Sequence, residues 1–146
     1  MSRVKGLSPL IATVVFIAFI VSFVALFASW MFTQVTAEGK CEKAEMSDVR
    51  VCIDRQENLL RMAVTNSGRA TLAGFSVNIT EGSISSQKEI AEALDRGVAG
   101  EYSIGYVARQ GSPTGVTIIP LLADGKKTIP CAGPAVSVPG GDITEC

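Results

Sequence analysis

The sequence predicts an α+β chain, with one long hydrophobic N-terminal α-helix followed by a small antiparallel β-sandwich. Three observations carry that prediction. Residues 10–32 form a run of 23 without a charge. Beyond residue 38 the pattern changes to short stretches of alternating apolar and polar residues, broken by Gly, Asn and Pro. All four cysteines fall in this second part. A length of 146 residues suits one compact domain plus a further element, and hardly two domains.

Charge and composition narrow the function. The 13 Lys and Arg against 14 Asp and Glu leave a net charge of −1, too balanced for nucleic acid as the main partner. The absence of histidine removes His-based triads, His metal sites and the usual general base near neutral pH. Apart from Arg3 and Lys5, every charge lies from Glu38 onward.

In the N-terminal run, the polar residues are Thr13, Ser22 and Ser29. As a helix, 23 residues reach roughly 34 Å, enough to cross a hydrocarbon core of about 30 Å. Phe16, Phe19, Phe23, Phe27 and Trp30 step by three or four along one side. Val14, Ile17, Val21, Val24 and Met31 occupy the opposite side, and Leu10, Ile11 and Ile20 add to the apolar surface. A buried helix of a soluble domain is usually shorter and keeps a polar stripe, so membrane insertion is the expectation. The helix is expected over residues 8–38, with Gly39 as its stop.

Arg3 and Lys5 precede the run and Glu38 is the first charge after it. That asymmetry keeps the N-terminus cytoplasmic and exports the remainder. Three fates follow: a simple anchor, a secretory signal removed near Ala37, or a helix trimmed on the inner side and retained. The second is disfavoured, because the run exceeds the roughly 7–15 residue core of such signals.

The flank bears on the other two. A short basic stretch ending in Lys5-Gly6 meets Leu7-Ser-Pro-Leu-Ile-Ala-Thr directly. This resembles archaeal type IV pilins and their class III signal peptides. The resemblance is strong over about the first 35 residues and stylistic over the rest. It implies cleavage by a membrane-embedded prepilin peptidase between Gly6 and Leu7. The chain then divides into a leader at 1–6, a hydrophobic helix at 7–38 and an exported head at 39–146. Bacterial-type pilins carry a glutamate at the fifth mature position; here that position is Ile11, which points to the archaeal branch. The resemblance further implies an assembly ATPase, a membrane platform and a helical homopolymer at the cell surface, used in adhesion or cell contact.

Physical chemistry is consistent with such a role. Burying each large apolar side chain is worth roughly 1.5–3 kcal/mol relative to water. Over a dozen or more such residues the stake is on the order of tens of kcal/mol, as an upper estimate. Lipid and the core of a filament both satisfy that surface, and water does not. Identical helices packed head to tail without closure give an open filament. Pro9 fits the first turn of the helix, where its missing N–H costs nothing.

In the head, residues 48–55, 59–65, 71–80, 102–108 and 116–122 read as strands. Asn66-Ser-Gly-Arg69 reads as a turn, and the phrase from Ala63 to Gly68 is similar to a hairpin in archaeal pilins and archaellins. Ser86-Gln-Lys-Glu89 reads as a capping box for a short helix through Leu94. Pro120 suggests an edge strand or an early stop. The Gly- and Pro-rich tail, 130–146, is expected to be irregular.

Cys41, Cys52, Cys131 and Cys146 are even in number and lie on the expected outside, so disulfides are expected. Four cysteines allow three pairings. The local one, Cys41 with Cys52 and Cys131 with Cys146, is the first choice, with connectivity open. The wide spacings and the lack of histidine disfavour metal. Asn78-Ile-Thr80 is a glycosylation sequon, which requires Asn78 exposed at a strand edge or turn.

No arrangement points to catalysis. Asp48, Asp54, Asp95 and Asp124 read as solvated strand or turn charges, and no phosphate loop follows a strand. The expectation is a non-enzymatic structural subunit that needs no cofactor. The alternative is a membrane-anchored exported binding domain that does not polymerise.

Overall fold

A computed structural model of the chain describes residues 9–109 and 111–146, the side chains of 33–38 excepted. Two compact units emerge, Met1–Ala37 and Glu38–Cys146. Helix α1 covers Pro9–Cys41, 33 residues, and the expected start at residue 8 lies outside the described residues. The helix runs two residues beyond Gly39, the expected stop, which lies within it. The helix stops at Cys41, where the Ala44 N–H bonds back to the Cys41 carbonyl at 3.0 Å.

The second unit contains strands β1 (Met46–Asp54), β2 (Leu59–Asn66), β3 (Leu72–Glu81), β4 (Ile84–Ile90), β5 (Ala99–Gly105), β6 (Gly115–Asp124), β7 (Lys127–Pro130), β8 (Val136–Pro139) and β9 (Thr144–Glu145). One sheet runs β5-β2-β1-β9. The other runs β4-β3-β6, with β7 and β8 both pairing with β6. Every pairing is antiparallel except β1 with β9. The expected antiparallel sandwich is present.

Local chemistry sets the turns. In the β1–β2 hairpin, Asp54 Oδ1 accepts from the N–H groups of Gln56 and Glu57, both at 3.1 Å. The β3–β4 and β6–β7 hairpins each close with two residues, led by Gly82 and Gly125 at φ of 56° and 62°. Glycine takes that left-handed conformation without a Cβ clash.

Strand alternation then points one face of each sheet inward. Leu60, Met62 and Val64 of β2 meet Phe75, Val77 and Ile79 of β3, with Val116 and Ile118 of β6. Tyr102 of β5 lies 5.0 Å from Phe75, ring centre to ring centre.

The sequence Asn66-Ser-Gly-Arg69 is a turn, but it carries the chain from one sheet to the other and is not a hairpin. Asn66 is fully buried. Its Nδ2 donates to the carbonyls of Ala70 and Leu94, both at 2.9 Å, and its Oδ1 accepts from the Gly68 N–H at 3.0 Å. Gly68 is required by contact, since a Cβ there would stand 2.4 Å from the Lys43 carbonyl oxygen.

Four expectations are corrected. Ser86-Gln-Lys-Glu89 lies in strand β4, and Leu94 pairs with Leu72 in a β-bridge instead of ending a helix. The capping pattern lost to cross-strand hydrogen bonding with β3. Pro120 sits in central strand β6 with a fully buried side chain. Its carbonyl accepts from Cys131 at 2.9 Å, so its missing N–H faces the gap between the β8 and β7 pairings, where no ladder bond is lost. The tail carries β8 and β9. The disulfides are Cys41–Cys131 and Cys52–Cys146, not the local pairs.

Candidate functional site

The candidate site is the outer surface of α1. Within Pro9–Phe32 an 18-residue window has a mean hydropathy of 2.9, and none of that window is buried. The aromatic side and the aliphatic side are equally bare, with Phe19 67% and Val21 62% exposed. Leu10, Ile11, Val14, Phe16, Ile17, Phe23, Val24, Phe27, Trp30 and Met31 are likewise exposed, and Ile20 is the most covered of these at 42%. Such a helix is apolar all round, which is the pattern for burial in lipid or among other helices.

Side-chain geometry smooths this surface. Phe19, Phe23, Phe27 and Trp30 form a ladder with ring centres 6.4, 6.5 and 5.9 Å apart. Thr13 Oγ1 donates to the Leu10 carbonyl and Ser22 Oγ to the Ala18 carbonyl, each at 2.8 Å. These hydroxyls therefore carry their own partners into an apolar medium. The 24-residue span reaches roughly 36 Å, longer than a bilayer core of about 30 Å. By length and composition, the helix is able to cross a membrane. Lys5, Gly6 and Leu7, the expected cleavage residues, lie outside the described residues.

The head is closed by its disulfides. Cys41–Cys131 ties the last turn of α1 to the residue after β7, across a separation of 90 residues. Cys52–Cys146 ties β1 to the residue after β9 across 94. Taken singly, loops of that size are worth about 4–5 kcal/mol in the chain-entropy model, against about 3 for the expected local loops. Disulfides belong to an oxidising compartment, which indicates an exported head. All four thiols are consumed, so none is left as a metal ligand. Lys40 Nζ pairs with Asp124 Oδ1 at 2.5 Å beside the first disulfide, with both side chains about half exposed.

Among the described residues, three buried polar residues escaped the sequence reading: Asn66, Ser76 and Glu81. Ser76 Oγ accepts from Gln87 Nε2 at 2.8 Å. Glu81, 5% exposed, accepts from the Tyr106 hydroxyl and from the Arg109 N–H at 3.0 Å. Burial and the Glu81 contact push the Tyr106 phenol up to about 12. No sequence signal marks Glu81 for burial, since the end of a strand beside Gly82 reads as solvated charge. For Asn66, the turn was visible but its burial was not.

Asn78 sits mid-strand in β3, between β4 and β6, half-buried and accepting from Ser85 Oγ at 2.5 Å. That is neither the edge nor the turn a glycan requires. An open groove of about 680 Å³ lies on the sheet of β5, β2, β1 and β9, lined in part by Arg50, Cys52, Arg61, Glu101 and Thr144.

No protein-family model, curated protein or solved structure matches this chain.

Proposed function

We propose that the chain is the subunit of an archaeal type IV pilus-like surface filament, polymerising through α1 with its head facing outward. The observation that carries this reading is the bareness of α1 on every side, together with a separately closed, disulfide-bonded head. An anchor needs only enough apolar length to cross the bilayer. A filament helix must also be satisfied after it leaves lipid, and copies of the same all-round apolar surface can do that. Prepilin peptidase would cut between Gly6 and Leu7, and an assembly ATPase and membrane platform would extract the helix. The role is structural, with adhesion or cell contact as the use.

The test is assembly of the chain beginning at Leu7, purified in detergent and then transferred to buffer as the detergent is removed. The proposal expects long, uniform filaments by electron microscopy that sediment at high mass. Single copies that insert into added vesicles and never polymerise would favour the anchored, non-polymerising head.

A further inference from the structure

Strand β9 is two exposed residues in parallel pairing with β1. Among the described residues, three contacts hold this segment beside its pairing register with β1. The Cys146 N–H donates to the Ile53 carbonyl at 3.1 Å. Arg55 Nε meets Glu145 Oε1 at 2.8 Å, with the two side chains 66% and 73% exposed. The third contact is the Cys52–Cys146 disulfide. Among the described residues of 143–146, Ile143, half-buried, packs against the core. The ion pair is solvent-exposed and therefore weak, and a single backbone bond is worth about 1 kcal/mol, so the disulfide dominates.

The two disulfides differ in access. Cys52 points away from the core and lines the open groove, and Cys146 is exposed. Cys131 is completely buried within the core cluster, and Cys41, half-buried like Cys52, packs against that cluster, so the difference in access lies between Cys131 and Cys146. Exchange requires a thiolate to reach a disulfide sulfur, which the groove permits for one pair and the core hinders for the other. The strap also covers a specific stretch of strand edge. Upstream, β1 is already distorted by the bulge around Asp48, at φ 50°. Downstream, among the described residues, β9 is the strand that pairs with the regular portion around Cys52 and Ile53. Bulges and covers are the usual guards of an edge that would otherwise pair with another strand.

We infer that residues 143–146 form a redox-released strap over the β1 edge, opened from the surface by a dithiol while Cys41–Cys131 keeps the sandwich closed. One thiolate of the dithiol attacks a sulfur of Cys52–Cys146, and the other cysteine leaves as a thiolate and takes a proton. The second thiol of the dithiol then displaces the remaining cysteine. The protein gains two electrons and two protons, and the dithiol becomes its cyclic disulfide. This inference holds whether or not the chain polymerises.

The experiment is graded dithiothreitol on the full chain in detergent micelles, with rapid alkylation, peptide mass analysis and hydrogen exchange. Cys52 and Cys146 are expected to label at about tenfold lower dithiothreitol than Cys41 and Cys131. In that window, peptides covering 46–54 and 140–146 gain deuterium, while 72–81 stays protected. The Cys52→Ser/Cys146→Ser variant is expected to fold, retain Cys41–Cys131 and show the same exchange without reductant. Simultaneous opening of the two disulfides, earlier opening of Cys41–Cys131, unchanged exchange after selective reduction, or an unfolded double variant would each overturn the inference.

Discussion

The helix and the head solve opposite problems with similar apolar residues. In α1 the apolar side chains face outward all round, and the polar atoms Thr13 Oγ1 and Ser22 Oγ are turned back onto the helix backbone. In the head, Phe75, Leu60 and Ile118 face inward, and polar groups cover the outside. The head completes its own burial, whereas the helix depends on an external medium. The difference teaches that exposure is informative only together with the partner it requires. An exposed Phe19 beside exposed Val21 on a 24-residue span calls for lipid or another helix.

Nature supplies separate reporters for the two regions. The single tryptophan, Trp30, is in the helix, and both tyrosines, Tyr102 and Tyr106, are in the head. The largest expected effect falls on the head. Replacing Cys41 and Cys131 together by Ser should cost about 4 kcal/mol of head stability, read by urea unfolding through tyrosine fluorescence. The Trp30 signal in micelles should not change. Next, Ile20→Lys places a charge at the middle of the span and should raise the cost of insertion by about 3 kcal/mol. Membrane fractionation should show the loss, with the head unfolding as before.

Asn66→Ala should destabilise the head by about 2 kcal/mol, because it removes three hydrogen bonds of a fully buried side chain, although the Gly68 N–H keeps the Glu45 carbonyl and the Leu94 carbonyl keeps the Leu72 N–H. Tyr106→Phe should cost about 2 kcal/mol by removing the phenol's hydrogen bond to the Glu81 carboxylate. It also carries a pH signature. The Tyr106 phenol is raised from 10.0 to about 12, so its contribution is fully present below pH 10 and is lost as pH rises toward 12. Native protein should therefore lose stability across that window in alkaline denaturation, and the Phe variant should lose less. The smallest effect belongs to Lys40→Ala, at most about 0.5 kcal/mol, because the Lys40–Asp124 pair is half exposed. A large loss there would mean that the helix-end contact, and not the disulfide, holds the last turn.

Legibility in the sequence followed the locality of each cause. The helix needed only length, charge exclusion and Pro9, all local. Strands β1, β2, β3 and β6 were visible because one face of each is buried, which writes a period of two into residues such as Leu60, Met62 and Val64. Strand β4 was not, because its middle residues are exposed on both faces and its polar run has no such period. The β5 strand begins three residues before the expected start at 102, since Gly100 carries no pattern. Disulfide pairing depends on which strands end beside one another across the two sheets. The spacing of Cys41, Cys52, Cys131 and Cys146 holds no record of that. Asn66 and Glu81 were illegible as buried groups for the same reason, since their partners lie 28 and 25 residues away.

The central claim is that α1 is trimmed, kept and moved from membrane to polymer. The most direct measurement is the N-terminal sequence and intact mass of native protein in a sheared cell-surface fraction. The account predicts a chain starting at Leu7, in high-mass material that contains filaments. A start at Met1 or Ser2 confined to membranes, or a start near Glu38, would contradict it.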